Sequence, residues 1–240
     1  MKLTFLGTRG YIEAKTRRHR MHTSLMVAYR GRGVMIDCGE TWLGRLDDVS
    51  PRTIVITHAH ADHVGGLADG SDCPVYATEQ AWEGMGAFPL RERRTMPLRK
   101  PRKIEGVTFE AFGVEHSLRA PAVGYRISAG RVSIFYVPDV VYIYEREAAL
   151  AGVRLYIGDG ATLTRSLIRR RGDRLIGHTT VQTQLTWCQK EGVRRAIITH
   201  CGSEIVTGDE RSLSAKLAEM ARQRGIEAEL AHDGMELVLR

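Results

Sequence analysis

A chain of 240 residues, 43% hydrophobic and with a formal net charge of +7, is long and apolar enough to bury a layered core as one domain over residues 1–240. It contains no run of about 18 apolar residues, which excludes a membrane-spanning helix. Met1 to Leu6 passes at once into Gly7-Thr8-Arg9-Gly10 without a charged-then-apolar leader, so a cytoplasmic location is expected. Cys38, Cys73, Cys188 and Cys201 show no paired spacing and read as reduced, mostly core residues rather than a disulfide frame.

Taken in chain order, Leu3 to Leu6 opens as a strand. Leu25 to Tyr29 and Gly33 to Ile36 read as a hairpin joined through Gly31, with Asp37 at its closing end. Thr53-Ile54-Val55-Ile56-Thr57 is short, apolar and β-branched, which predicts a buried strand. It empties into His58-Ala59-His60-Ala61-Asp62-His63, three imidazoles and a carboxylate in six residues. Imidazole nitrogen and carboxylate oxygen suit zinc and its first-row neighbours, and the lack of thiolates argues against a closed structural site. The alternative, a polar turn capping the next helix, does not explain four ligand-type side chains in so short a span.

Pro74 to Ala77, Val107 to Phe112, Val123 to Ile127 and Val132 to Val137 continue as strands, the last pair turning at Ala129-Gly130. Tyr156-Ile157-Gly158 ends another apolar run at Asp159. Thr179 and Gln182 predict a capping box ahead of a Val181, Leu185, Cys188 stripe, with Gly192 ending the helix. Leu213, Leu217, Met220 and Ala221 give a second amphipathic helix, stopped at Gly225, and Ile226 to Leu230 and Met235 to Leu239 are strands around an Asp233-Gly234 turn. An internal echo, Arg52-Thr53-Ile54-Val55-Ile56-Thr57-His58 against Arg194-Arg195-Ala196-Ile197-Ile198-Thr199-His200, presents a histidine from a strand end in each half. Two β layers flanked by helices accommodate this order.

The positive charge is clustered. Arg91, Arg93, Arg94, Arg99, Lys100, Arg102 and Lys103 form one group, Arg165, Arg169, Arg170, Arg171 and Arg174 a second, and Lys15, Arg17, Arg18 and Arg20 a third. Each alone reads equally as a solvated face; together they favour a polyanionic partner, without a motif for base-specific readout. The Arg91 to Lys103 segment is expected as a surface loop at the rim of the metal cleft, either gripping nucleic acid or acting as a short lid.

The His-x-His-x-Asp-His spacing resembles the signature of the metallo-β-lactamase superfamily, and the resemblance extends over nearly all of the chain. It implies an α/β (α+β) fold, a four-layer αββα sandwich with a di-metal site. Further family ligands match His116 in Val114-Glu115-His116-Ser117, Asp139 after Ile134 to Pro138, and His200 in Ile197-Ile198-Thr199-His200. By resemblance, His58, His60 and His116 bind one ion, Asp62, His63 and His200 bind the other, and Asp139 bridges. Asp62 would also aim the bridging hydroxide. Pro138-Asp139-Val140 stands where the family commonly has Gly-Asp-Thr, so the local turn departs from the pattern while the carboxylate remains. Asp37 matches a residue that supports the metal loop, the alternative being a turn residue bonded to its own backbone. The iron-oxygen branch usually has Glu at the place of His60, so zinc is the metal expected first and manganese second.

Two divalent ions about 3.5–4 Å apart can lower the pKa of a shared hydroxide and clamp both oxygens of a displacement. Asp159 with Gly177-His178-Thr179-Thr180 resembles the phosphodiesterase branch, which includes the tRNA 3′-processing endonuclease (RNase Z) and cyclic phosphodiesterases of phosphonate breakdown. There the acidic residue orients a histidine that contacts the scissile phosphate. Read without the family, His178 is an ordinary residue before a helix and Asp159 a turn former. RNase Z enzymes also carry a glycine/proline-rich arm that this chain lacks, which puts tRNA maturation in doubt. The function expected is a di-metal phosphodiesterase acting on nucleic acid (RNA or DNA) or a nucleotide-like phosphodiester through a metal-bridging hydroxide. The alternatives are a carboxylic-ester, lactone or thioester hydrolase of the same fold, and a nucleic-acid-binding module with a vestigial site. The oligomeric state is left open, a homo-oligomer included.

Overall fold

The computed structural model describes residues 1–86 and 88–240. Its elements are, in order, β1 (Lys2–Gly7), β2 (Ser24–Tyr29), β3 (Arg32–Ile36), β4 (Thr53–Val55), α1 (Ala61–Val64), β5 (Val75–Ala77), α2 (Glu79–Met85), β6 (Arg93–Thr95) and β7 (Arg102–Ile104). The chain continues through β8 (Val107–Glu115), β9 (Ala122–Ala129), β10 (Val132–Tyr136), β11 (Tyr142–Ile143), α3 (Arg146–Leu150), β12 (Leu155–Asp159), β13 (Arg169–Arg171) and β14 (Arg174–Ile176). It closes with α4 (Val181–Lys190), β15 (Arg195–Thr199), α5 (Ser203–Thr207), α6 (Glu210–Arg222), β16 (Glu227–Leu230) and β17 (Glu236–Val238).

A seven-stranded sheet has the order β17-β1-β2-β3-β4-β5-β6, and an eight-stranded sheet runs β11-β8-β9-β10-β12-β15-β16 with β7 also on β8. Because side chains alternate along a strand, each sheet offers an apolar set to both of its faces. In β10, Ile134 and Tyr136 enter the core between the sheets while Phe135 packs on the outer side. In β4, Val55 points inward and Ile54 outward, where it meets Val64, Leu67, Ala81 and Met85. The outer face of the second sheet is covered by Val181, Leu185 and Cys188 of α4 and by Leu213, Leu217, Met220 and Ala221 of α6. Three apolar layers thus separate four layers of structure, helix, sheet, sheet, helix.

Two local expectations are corrected. The helix cap is Thr180 rather than Thr179: its hydroxyl accepts from Thr183 N at 3.0 Å, which leaves Gln182 out of any capping box. Two adjacent threonines offer the same chemistry, and tertiary contact chooses between them, since Thr179 N is bonded to Val140 O. The strands around Asp233-Gly234 do not form a hairpin. The first runs parallel to β15 in one sheet, and the second runs antiparallel to β1 in the other. The turn carries the chain across the sandwich, and the Asp233 carboxylate is used instead to accept from Arg20 N and Met21 N at 2.7 and 2.8 Å.

The strands β8, β10, β12 and β15 all point the same way, as β9 is antiparallel to both of its neighbours and the remaining pairs are parallel. Their C-terminal ends therefore meet at one edge of the sandwich, as do those of β3 and β4. That edge is where open α/β architectures place their chemistry.

Candidate metal centre

Every predicted metal ligand, together with Asp37 and Asp159, follows or ends a strand at this edge, while His178 lies between β14 of a separate two-stranded ribbon and α4. Asp37 follows β3, His58 follows β4 by three residues, and His116, Asp139 and His200 come after β8, β10 and β15; Asp159 ends β12. The His58 loop is tied across the sandwich, since Tyr125 Oη donates to Ile56 O at 2.7 Å and Val123 N donates to Thr57 O at 3.1 Å. One turn of helix then reverses the chain: His63 N and Val64 N donate to His60 O at 2.9 and 3.0 Å. This turn directs Asp62 and His63 inward, where both are buried.

The ligand atoms of His58, His60 and His116 form one group, and those of Asp62, His63 and His200 another, the members of each lying within 4.8 Å of one another. In the first, His60 Nδ1 lies 3.0 Å from His58 Nε2 and 3.3 Å from His116 Nε2. In the second, Asp62 Oδ2 lies 3.4 Å from His63 Nε2 and 3.2 Å from His200 Nε2. Asp139 sits between them, its Oδ1 3.7 Å from His116 Nε2 and its Oδ2 2.8 and 3.3 Å from the Nε2 atoms of His63 and His200.

Outer contacts fix the rings. His116 Nδ1 bonds Gly177 O at 3.0 Å, His58 Nδ1 bonds Thr57 Oγ1 at 3.0 Å, and His63 Nδ1 bonds Asp37 Oδ2 at 2.8 Å. Each leaves Nε2 facing the centre, the arrangement that orients imidazole ligands. Asp37 is fully buried and accepts from Thr57 N and Oγ1 as well as from His63, so its carboxylate serves the histidine loop rather than its own turn. Both Asp37 and His200 have positive φ, at 61° and 51°, a conformation costly for non-glycine residues and concentrated at functional sites.

Charge is divided across the centre. Burial lowers His58 and His60 and brings His116 down to about 4, so these imidazoles are neutral at pH 7 and present lone pairs. Burial also acts to lower His63 and His200, but the carboxylates win: Asp62, Asp139 and Asp37 hold His63 well above its ordinary value, and Asp139, Asp159 and Asp62 raise His200 to about 10. The donor set fits a divalent cation on a direct observation. Asp139 Oδ2 and His63 Nε2 are buried 2.8 Å apart, yet neither has an aligned hydrogen-bond partner. Converging, unpartnered nitrogen and oxygen donors suit first-row metals. Cys201 is excluded from this set: it is buried in the outer core, and burial pushes its thiol far up.

Asp159 and His178 adjoin the centre. Asp159 Oδ2 accepts from His178 Nδ1 at 2.8 Å and from Val140 N at 3.0 Å, while Oδ1 accepts from Ala161 N at 2.9 Å. Asp159 therefore holds both His178 and the backbone beside Asp139, and His178 Nδ1 is 3.5 Å from Asp139 Oδ1. Two partners escaped the sequence reading. Gln184 is buried beneath Asp159, its Oε1 accepting from Asp159 N at 2.9 Å and its Nε2 donating to Asp159 O at 2.7 Å. A polar residue on the Val181, Leu185, Cys188 stripe was the available signal. Glu115 accepts from Arg174 Nε and Leu175 N at 2.9 and 3.1 Å, which seats β14 beside His116.

A cavity of about 1010 Å³ opens over the centre, lined by His60, Asp62, His116, Asp139, His178 and His200. None of its lining residues comes from Arg91 to Lys103. That segment is not a loop at the rim: β6 extends the first sheet beside β5, and β7 pairs with β8. The arginines that line the cavity are Arg165 and Arg169 of the second cluster.

A family model described as the beta-lactamase superfamily domain matches residues 32–201, which include every residue of the cluster above. The chain belongs to this superfamily. Its relatives include exodeoxyribonuclease YycJ of Bacillus anthracis, 28% identical over 120 residues that cover 47% of this chain and 44% of that protein. Ribonuclease Z of Methanococcus aeolicus is 41% identical over 73 residues, covering 28% of this chain and 22% of that protein. The chain thus spans less than half the length of these curated relatives. A crystal structure of a diphosphatase from the PhnP family superposes with a TM-score of 0.73 at 22% identity, covering 98% of this chain and 96% of that one. That likeness is one of fold. Among the described residues, no helix is long and apolar enough to cross a membrane.

Proposed function

We propose that this superfamily member is a di-metal phosphodiesterase acting on nucleic acid or a nucleotide-like diester. His58, His60 and His116 would hold one divalent cation, Asp62, His63 and His200 the other, and Asp139 both, zinc being the first expectation and manganese the second. Such cations supply Lewis acidity and a water acidified toward neutral pH. The chain's own groups do the rest. Asp62, poised between His63 and His200, accepts a hydrogen bond and aims the attacking water. His178, whose Nδ1 is engaged by Asp159, keeps Nε2 for a phosphate oxygen in the cavity. Burial acts to lower the pKa of His178, but the Asp159 carboxylate raises it on balance, favouring the protonated ring that can give a proton to a leaving oxygen.

The observation that carries this reading is the Asp159–His178 pair set against Asp139, a histidine and the carboxylate bonded to it at the wall of two clusters of ligand-type side chains. His178 lies two residues before the Thr180 cap of α4, where the helix dipole favours an anion although the first-turn N–H groups are taken by Thr162 O, Leu163 O and Thr180 Oγ1. The two curated relatives, both nucleases by name, support a nucleic-acid diester. The test is reconstitution followed by metal analysis and a hydrolysis panel of bis(p-nitrophenyl) phosphate, RNA, single- and double-stranded DNA, a lactone and a β-lactam. About two metals per chain and turnover of a phosphodiester are expected. A folded protein that retains one metal or none, or that cleaves only the lactone, overturns the proposal.

A further inference from the structure

The strands β13 and β14 form a sheet of their own, a ribbon of two three-residue strands in register Arg169 to Ile176, Arg170 to Leu175 and Arg171 to Arg174. Isolated ribbons of this size are marginal in water. Here Arg171 also stands directly across from Arg174, a like-charge pair that costs stability. The ribbon persists because its base is fastened on two sides. Arg174 and Leu175 bond Glu115, Gly177 N donates to His116 O at 2.9 Å, and Leu167 N donates to His178 O at 3.3 Å. It is therefore pinned to a residue of the metal cluster and to the proposed acid. Arg165, Arg169, Arg170 and Arg171 are exposed, and none takes part in an ion pair among the described residues. Arg165 and Arg169 line the cavity, as do Leu167 and Ile176.

The same cavity is lined by Tyr11, whose surface is 69% exposed. A lone exposed aromatic needs no explanation, but this one sits on a loop that is locked. Arg9 is buried, with its guanidinium donating to Arg20 O at 3.3 Å and also to Ile12 O; Arg9 N donates to Met21 O at 3.0 Å, and Gly10 N donates to Cys201 O at 3.1 Å. Gly10 passes so close to the His200 ring that a β-carbon would lie 3.0 Å from its Cε1. Tyr11 is thus held, one residue on, at the mouth of the cavity beside the proposed metals.

We infer that the ribbon and Tyr11 together receive an unpaired polynucleotide strand, its phosphates on the free arginines and one base stacked on the Tyr11 ring. Exposed cations that follow a backbone, joined to an aromatic platform, are the combination by which proteins take single strands irrespective of sequence. The cavity, about 1010 Å³, has the size of a pocket for one drug-sized ligand, so a nucleotide-scale stretch fits inside it. This inference rests on the phosphodiesterase reading and names its substrate class.

The test separates the two. The metal-free 240-residue chain, in a chelator that prevents cleavage, is titrated with a fluorescein-labelled single-stranded oligonucleotide and with the matching duplex over a range of salt. Tighter binding of the single strand is expected. The variant carrying Arg165→Gln, Arg169→Gln, Arg170→Gln and Arg171→Gln should flatten the log–log salt dependence by about 0.7 for each phosphate that is no longer neutralised. A control of equal charge, Arg91→Gln, Lys100→Gln, Arg102→Gln and Lys103→Gln, should keep the wild-type slope. Tyr11→Ala should weaken the single strand on the order of tenfold, the effect of removing one stack, and Tyr11→Phe should restore it. Equal affinity for strand and duplex, or equal flattening by the two quadruple variants, overturns the inference, as does an unaffected Tyr11→Ala. Wild-type turnover of bis(p-nitrophenyl) phosphate with metals restored tests the phosphodiesterase reading independently.

Discussion

The segments Arg91 to Lys103 and Arg165 to Arg174 are both arginine-rich, yet the first is built into sheet edges while the second stands at the mouth of the cavity. In the first, Arg93 donates to the carbonyls of Gly86 and Phe88, Arg94 pairs with Glu92, and Arg99 pairs with Glu110 and Glu145 while covering the Phe112 ring at 4.3 Å. These guanidiniums are occupied in finishing an edge of the sandwich. In the second, only Arg174 has a carboxylate partner among the described residues, and its bond to Glu115 sets the ribbon in place. The same residue type thus serves the fold where carboxylates or carbonyls engage it, as at Arg93, Arg94, Arg99 and Arg174, and remains available to a ligand where it lines the cavity unpaired, as at Arg165 and Arg169. Charge density along the sequence does not distinguish the cases, and partners do so only for Arg93, Arg94 and Arg99; Arg91, Lys100, Arg102 and Lys103 have no ion pair among the described residues either, and what sets them apart from Arg165 and Arg169 is that they lie outside the cavity lining.

The contrast has consequences for activity only if cleavage occurs at the His and Asp cluster, so its removal is the largest expected effect. Asp139→Ala should abolish phosphodiester turnover and lower metal content, since the carboxylate approaches both histidine groups. Oligonucleotide binding by the ribbon should survive. Metal analysis beside a binding titration checks this, and full turnover in the variant would remove Asp139 from the site. Next in size, His178→Ala should keep both metals and slow phosphodiester cleavage by about 10²–10⁴-fold, the usual range for a missing acid or base. Unchanged single-turnover rates would return His178 to being an ordinary residue ahead of a helix.

How far the sequence foretold this arrangement depends on the range of the interactions involved. The His58 to His63 cluster is local and the strand-then-Thr-His echo marks His200, so these were legible in the residues themselves, whereas His116, Asp139 and the pairing of Asp159 with His178 were reached through the family resemblance. The alternating pattern likewise announced two sheets with helices outside. What was not legible was set by distant partners. Glu115 and Gly177, far apart in sequence, seat the ribbon at the cavity, and nothing near Arg169 reveals this. The position of Arg91 to Lys103 between two ligand groups suggested the rim, but pairing with β5 and β8 carries it to sheet edges instead. Asp233-Gly234 has the chemistry of a hairpin turn, and only the demand of two sheet edges for a strand separates its flanks. Tyr11 lies in a stretch without periodicity, where no pattern could single it out.

A smaller effect tests whether the placement of the ribbon, apart from its charge, matters. Gly177 has φ +104°, and a β-carbon there would run into the Leu167 carbonyl oxygen. Gly177→Ala leaves every arginine in the chain but forces the ribbon base to shift, at a cost of about 1–3 kcal/mol for a strained backbone position. Thermal or denaturant unfolding should report that destabilisation, and affinity for a single-stranded oligonucleotide should fall with the charge unaltered. Wild-type affinity in a destabilised variant would mean that net charge alone draws the strand.

The smallest effect is expected on the other side of the comparison. Arg99→Ala removes a partly exposed guanidinium from Glu110, Glu145 and the Phe112 ring. Solvent screens these ion pairs, and the partly exposed guanidinium over the buried Phe112 ring adds about 0.5–1 kcal/mol, so the loss of stability should be about 1–2 kcal/mol or less. Oligonucleotide affinity, its salt dependence and turnover should remain at wild-type values, because Arg99 is committed to the fold and lies outside the cavity lining. Denaturant midpoints beside the same binding titration resolve the two quantities. A clear fall in affinity without loss of stability would place the Arg91 to Lys103 segment on the path of the substrate after all, and the distinction between the two basic segments would then be one of degree.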